Sequence, residues 1–302
     1  MDIIGKRKWW FIISSILIIP GLIVLIIWNL NLGIDFSGGT LIELEFPKKD
    51  KIIKEEVEKA LKPLNLKNLQ IQSVGPKSIL IRTNPIAKDE FTKINKTLEE
   101  KIGQIKEIRY ETVGPIVSKD LTKKAIISVI IASIVIIFYI AIAFRKAPKP
   151  ANSFRFGVCA VLALIHDLLF VCGIFAILGH FMGVEIDNLF ITALLTIMGF
   201  SVHDTIVVFD RIRENLRVYS GLPFEEVTNK SIIQTITRSI NTSYTVLLVL
   251  LVLYIFGGES IKYFILALLL GITIGTYSSI FTASPLLVVW QNWADRREAK
   301  RV

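Results

Sequence analysis

Six stretches of this chain, residues 9–28, 125–144, 156–178, 188–209, 232–256 and 263–290, are apolar for long enough to cross a bilayer. In hydrocarbon the backbone of such a stretch has to satisfy its own hydrogen bonds, which predicts six membrane-spanning helices. Composition agrees: 52% of the residues are hydrophobic and the mean hydropathy is +0.57, too apolar for an ordinary soluble protein. Lys6, Arg7 and Lys8 precede the first stretch, which ends at Trp28 and Asn29 without a small-residue cleavage site. That pattern predicts an uncleaved anchor rather than a signal peptide. Pro285 predicts a kink near the end of the sixth stretch.

Residues 33–122 are the one long polar segment, and their periodicity is legible. Residues 40–46 alternate as a strand does. Residues 51–62 place Ile52, Ile53, Val57, Ala60 and Leu61 on one helical face. Residues 68–74 and 77–83 alternate again around Gly75-Pro76, a hairpin signal. Residues 88–102 space Phe91, Ile94, Leu98 and Ile102 as a second helix, and residues 106–113 read as a fourth strand. The order βαββαβ predicts a ferredoxin-like α+β domain. The chain thus divides into an N-terminus and first span (1–32), this domain (33–122) and a five-span bundle (123–302). The domain holds no His and no Cys, which predicts a folded module without catalysis. Gly38-Gly39 before its first strand and Gly114-Pro115 after its last predict two turns at the membrane surface, with a direct ligand role left open.

A net charge of +9 would suggest nucleic acid in a soluble chain. No aromatic-rich RNA-binding signature or basic recognition helix accompanies it, so no nucleic-acid partner is expected. The basic residues sit in loops instead. Arg145, Lys146, Lys149 and Arg155 lie between spans two and three, and Arg211, Arg213, Arg217 and Lys230 between four and five. Arg296, Arg297, Lys300 and Arg301 follow span six. All fall on the side of the N-terminus, which predicts that both termini are cytoplasmic and that residues 33–122 lie outside. Cys159 and Cys172 share one apolar stretch and make no disulfide framework. Zinc-protease, nucleophile-elbow and Walker A patterns are all missing from the sequence, so neither an enzyme nor a cofactor or metal site is expected.

The residues that stand out are ionisable groups inside the spans. An Asp at the centre of a membrane helix costs about 2.5–3.5 kcal/mol on insertion scales, so Asp204 needs a use or a partner. Its own helical face, with Ile197, Phe200, Ser201, Val207 and Val208, is mostly apolar. In the fifth span Gln234, Thr235, Arg238, Asn241, Thr242 and Thr245 form a polar stripe expected to face the bundle interior. Asp204 and Arg238 fall at similar depth in the cytoplasmic half, which predicts a pair between them. Such a pair could be a static tie between helices. It could also relay protons, since a carboxylate in a low dielectric binds or releases its proton as a guanidinium leaves or approaches. His166 and Asp167 lie near mid-membrane in the third span, as helix-packing groups or a second station on a proton path. Neighbours on a helix point about 100° apart, so these two are not expected to pair with each other. His203 beside Asp204 is a further candidate. Gly271, Gly275 and Ser279 form a small-residue stripe for close packing.

With these residues assembled, the chain resembles the SecF branch of the SecD/SecF family of protein-export membrane proteins, within the RND transporter superfamily. The resemblance covers nearly the whole chain. It rests on LGIDFSGGT at 32–40, VGP at 113–115, HD at 166–167, GFSVHDTIVVFDRIRENLR at 199–217 and TITRSINTSYT at 235–245. It implies a cell-membrane protein that pairs with a six-span SecD partner, associates with the SecYEG channel, and uses the proton gradient to draw a preprotein outward after the work of SecA. It also implies that Asp204 and Arg238 are the intramembrane Asp and Arg linked to proton transport. The chain departs from the family pattern at Phe200, where Tyr is common, and at His203, where Asn is common. It also has Ser118 and Asp120 where Gly and Glu often follow the VGP motif. An RND-type exporter of small molecules or lipids is the alternative, against which the short chain and single outer domain argue.

Overall fold

The computed structural model describes residues 2–50, 52–73, 76–145, 148 and 152–299. Gly75 of the expected hairpin, and Lys146, Lys149, Lys300 and Arg301 of the basic segments, lie outside the described residues. Two compact units result: Met1–Asn31 with Ile126–Val302, and Leu32–Ala125. Helix α1 (Arg7–Trp28) belongs to the first.

In the second unit, α2 (Ile34–Ser37) leads to β1 (Gly39–Glu45), α3 (Lys54–Leu61), β2 (Gln70–Ser73), β3 (Ser78–Thr83), α4 (Lys88–Lys101) and β4 (Lys106–Val113). The sheet order is β2-β3-β1-β4, and neighbouring strands are antiparallel. Strand alternation puts Ile42, Leu44, Ile79 and Ile81 on one face. There they are buried against Val57 and Leu61 of α3 and Phe91, Ile94 and Leu98 of α4. Helix α3 starts later than the periodicity predicts. Ile53 is its extended N-cap and lies exposed, while Ile52 reaches the core from the segment before it. Two adjacent β-branched residues are content in extended backbone, which is why the apolar pattern there misleads.

Gly38 (φ 72°) and Gly39 (φ 130°) hold backbone that L side chains avoid. A Cβ on Gly39 would stand 2.8 Å from the Thr83 carbonyl oxygen. Gly39 pairs with Val113 in the sheet, so the two turn motifs of the sequence lie side by side. Gly114 needs no unusual backbone, and Pro115 opens α5 (Pro115–Ala143), where its missing N–H costs nothing.

The chain continues through α6 (Ser153–Met182), α7 (Asn188–Val218), α8 (Phe224–Phe256), α9 (Glu259–Ser278), a π-helical segment (Ser279–Ala283) and α10 (Ser284–Ala299). Counting α9 to α10 as one, six helices among the described residues are long and apolar enough to cross a membrane. Several outrun their apolar stretches: α5 starts at Pro115, α7 runs through Asp210 to Val218, and α8 begins at Phe224. A helix keeps its backbone bonds in water as in lipid, so hydropathy marks the membrane part and not the helix end. The irregularity expected at Pro285 is taken up one turn earlier. Proline cannot donate and its ring crowds the carbonyl four residues back, so the preceding turn widens. Within the widened turn the Ser284 hydroxyl donates to the Ser279 carbonyl at 3.1 Å.

Helices α6, α7 and α9–α10 form the inside of this unit, while α1, α5 and α8 expose most of their apolar surface. Glycines set two close crossings. Gly21 of α1 meets Gly173 of α6 backbone to backbone, and Gly271 and Gly275 of α9 lie against Ile197 and Ser201 of α7.

Candidate functional site

Asp204 projects from α7 into the bundle and is 2% exposed. It sits on the face that also buries Ile197, Ser201, Thr205 and Val208. The Ser243 hydroxyl of α8 donates to Asp204 Oδ2 at 3.2 Å, and Ser243 Oγ lies 2.6 Å from Thr276 Oγ1 of α9. Hydroxyls from two other helices therefore reach the acid in a short chain. His203, the next residue round the helix, is exposed.

Asp204 and Arg238 do not form the expected ion pair. The inward polar stripe of α8 is Ser231, Thr235, Ser239 and Ser243, all buried, whereas Gln234, Arg238, Asn241, Thr242 and Thr245 are exposed. Of the expected stripe only Thr235 faces inward. Arg238 is five residues before Ser243, so it points about 140° away from the residue that meets Asp204. Charged and amide side chains stand out in an apolar run, and serines do not. The signal that finds the inner stripe is a small hydroxyl at every fourth position. Gln234 accepts from Arg211 Nε at 2.6 Å and Asn215 Nδ2 at 2.8 Å, tying α7 to α8 at the charged end.

A second buried acid lies on α6. Asp167 has no exposed surface. Its Oδ2 accepts from the Ser201 hydroxyl of α7 at 2.6 Å and the Ser278 hydroxyl of α9 at 2.8 Å. Its Oδ1 is 3.0 Å from His166 Nδ1, so the two neighbours do pair, against the expectation from helical angles. Their Cα–Cβ bonds diverge, but an imidazole and a carboxylate are long enough to bend together across the groove between them. Gly275 allows the approach: a Cβ there would stand 3.0 Å from the Ser201 Cβ and 3.5 Å from Asp167 Oδ2. Ser201 and Gly275 thus serve a site as well as packing. Among the described residues no three His, Cys, Asp or Glu side chains converge to hold a metal ion.

Comparison with known proteins bears on this arrangement. Residues 93–293 match the family described as protein export membrane protein SecD/SecF, C-terminal, and residues 30–46 match the SecD/SecF GG motif. The protein translocase subunit SecF of Thermobaculum terrenum is 48% identical over 305 residues, covering 97% of this chain and 94% of its own. That of Anaerolinea thermophila is 43% identical, covering 100% and 97%. The SecDF protein of Bacillus subtilis is 36% identical, and the match covers 99% of this chain but 39% of that longer one. The crystal structure of SecDF, a translocon-associated membrane protein from Thermus thermophilus, superposes with a TM-score of 0.84 at 32% identity, covering 97% of this chain and 39% of that one. The chain therefore spans nearly all of the SecF relatives and about two fifths of the SecDF chains. On these matches, and on its six membrane-length helices with one small antiparallel-sheet domain, the chain is a multi-pass membrane protein that belongs to the SecD/SecF family of protein-export membrane proteins.

Proposed function

We propose that this chain is the SecF half of a SecD–SecF unit that uses the proton gradient to assist the late, SecA-independent stage of preprotein export through SecYEG. The observation that carries the reading is Asp204, a carboxylate buried inside a membrane-length bundle whose named partner is a serine hydroxyl and not a cation. A static ion pair would hold it ionised. A hydroxyl partner accommodates both its charged and its neutral form, which is what proton uptake and release require. Arg238 then acts from the exposed face of α8. A guanidinium on a lipid-exposed helix is costly, and a second six-span half of the SecD type would cover that face. Approach of Arg238 to Asp204 in part of the cycle would expel the proton, and its withdrawal would allow uptake. The positive residues of the α7–α8 connection and of α10 support cytoplasmic termini, with the Leu32–Ala125 unit outside, where an emerging preprotein passes.

Replacing Asp204 by Asn keeps shape and removes titration. The Asp204→Asn protein is expected to fold and co-purify with a SecD-type partner, while export in membrane vesicles falls to the level seen without a proton gradient. Arg238→Leu is expected to do the same. Full gradient stimulation in Asp204→Asn would reject the relay.

A further inference from the structure

We propose that His166 and Asp167 form a second proton-binding site in the bundle, with His166 Nε2 as the atom that takes up and releases the proton. The proposal deepens the proton-coupled reading and rests on it for its role, though not for its chemistry. A carboxylate with no exposed surface needs donors or a counter-charge around it. Among the described residues the one ionisable cation in contact with it is His166, at 3.0 Å. The remaining donors, Ser201 and Ser278, are neutral.

Nδ1 faces the carboxylate, which leaves Nε2 as the free end of the ring. Nε2 is buried and has no hydrogen-bond partner among the described residues, in a side chain 7% exposed. A histidine kept only for packing would be satisfied at both nitrogens, because an orphaned buried polar atom is costly. The loaded dyad, imidazolium beside carboxylate, is net neutral. Loss of the proton from Nε2 leaves a neutral imidazole that still donates from Nδ1. The single negative charge on Asp167 is then solvated by that N–H and the two serine hydroxyls. No other bond is made or broken.

The surroundings add few charges. From α9 the Tyr277 ring stacks over His166 at 6.4 Å between centroids, with its hydroxyl donating to the Trp10 carbonyl. Helix α1 brings Ser14, bonded to Thr282 of the π-helical segment, and no ionisable group at this depth. On α7 the nearest ionisable groups are Asp204, turned toward Ser243, and the exposed His203. Helix α9 touches both acids: Ser278 bonds Asp167, and Thr276 meets the serine that bonds Asp204. A change of proton at one site therefore bears on the helix that holds the other.

The chain has three histidines, so 15N-histidine NMR of the full chain in lipid bilayers can resolve this one, with the His166→Gln spectrum identifying its signal by loss. The expected result is the Nδ1–H tautomer when neutral, with a second proton appearing on Nε2 as the pH is lowered. Asp167→Asn is expected to change both the tautomer balance and the pH response of that signal, because the carboxylate that fixes Nδ1–H is gone. An Nε2–H tautomer, no proton gained at Nε2 at any pH where the chain stays folded, or an unchanged signal in Asp167→Asn would each overturn the proposal. None of these outcomes depends on export. Titration as expected, together with full gradient stimulation in Asp204→Asn, would leave the dyad standing and remove the relay at Asp204.

Discussion

Ser243 decides what Asp204 can be. Its hydroxyl is the link between the acid and α9, at 3.2 Å to Asp204 and 2.6 Å to Thr276. Without it, a buried carboxylate and a partly exposed threonine hydroxyl both lose a partner. Ser243→Ala is expected to lower the stability of the purified chain by about 1–3 kcal/mol, the cost of an unsatisfied buried polar group. In an Asp204→Leu background the same change should cost markedly less, because the group it strands is gone. Thermal unfolding of the four proteins in lipid-containing micelles closes the cycle, and equal costs in both backgrounds would show that the Ser243–Asp204 bond contributes nothing. Asp204 was legible in the sequence because a charge in an apolar run is conspicuous. Ser243 was not, because a serine is nearly neutral on a hydropathy scale and unremarkable in a membrane helix. Arg238 is as conspicuous in the sequence as Asp204, yet it lies on the outward face of α8. A polar stripe says that one side of a helix avoids lipid, not whether that side meets its own chain or another.

Elements in this bundle approach each other where glycines permit it. The stripe of Gly271, Gly275 and Ser279 could be read from one segment, since its period is visible along α9 and into the π-helical turn that follows it. The contact of Gly21 with Gly173 could not, because each is a single glycine in a different span and nothing local marks the match. That crossing makes a sharp prediction. An ideal Cβ on Gly173 would stand 2.6 Å from the Gly21 Cα, so the helices themselves must part. Gly173→Ala should therefore destabilise the chain by about 1–3 kcal/mol, the usual cost of overpacking. Gly199→Ala is the control within α7, where a Cβ meets nothing within 4 Å. It should be neutral, or stabilising by up to about 1 kcal/mol through helix propensity. Equal effects of the two substitutions on the melting temperature would mean that the α1–α6 crossing is not held by close backbone contact.

At the scale of the whole chain, periodicity carried the reading far. Runs of bilayer length and the strand patterns at residues 40–46, 68–74, 77–83 and 106–113 were enough for six spans and a four-stranded domain. Helix lengths escaped it, because the polar turns of α5, α7 and α8 that lie beyond the apolar runs have no hydropathy signature. Orientation is a separate property, since it follows from basic residues near span ends and not from packing. It can be tested with single cysteines at two exposed sites, Lys96 on α4 and Gly221 in the α7–α8 turn. A Cβ on Gly221 meets nothing within 4 Å, so Gly221→Cys should be tolerated. The resident Cys159 and Cys172 lie within α6, and replacing both by Ala gives the background. With cytoplasmic termini, Lys96→Cys reacts with an impermeant maleimide in intact cells, and Gly221→Cys reacts only once the membrane is opened. The reverse pattern would turn the chain over. It would place the Leu32–Ala125 unit in the cytoplasm and leave the domain nowhere to meet an emerging preprotein.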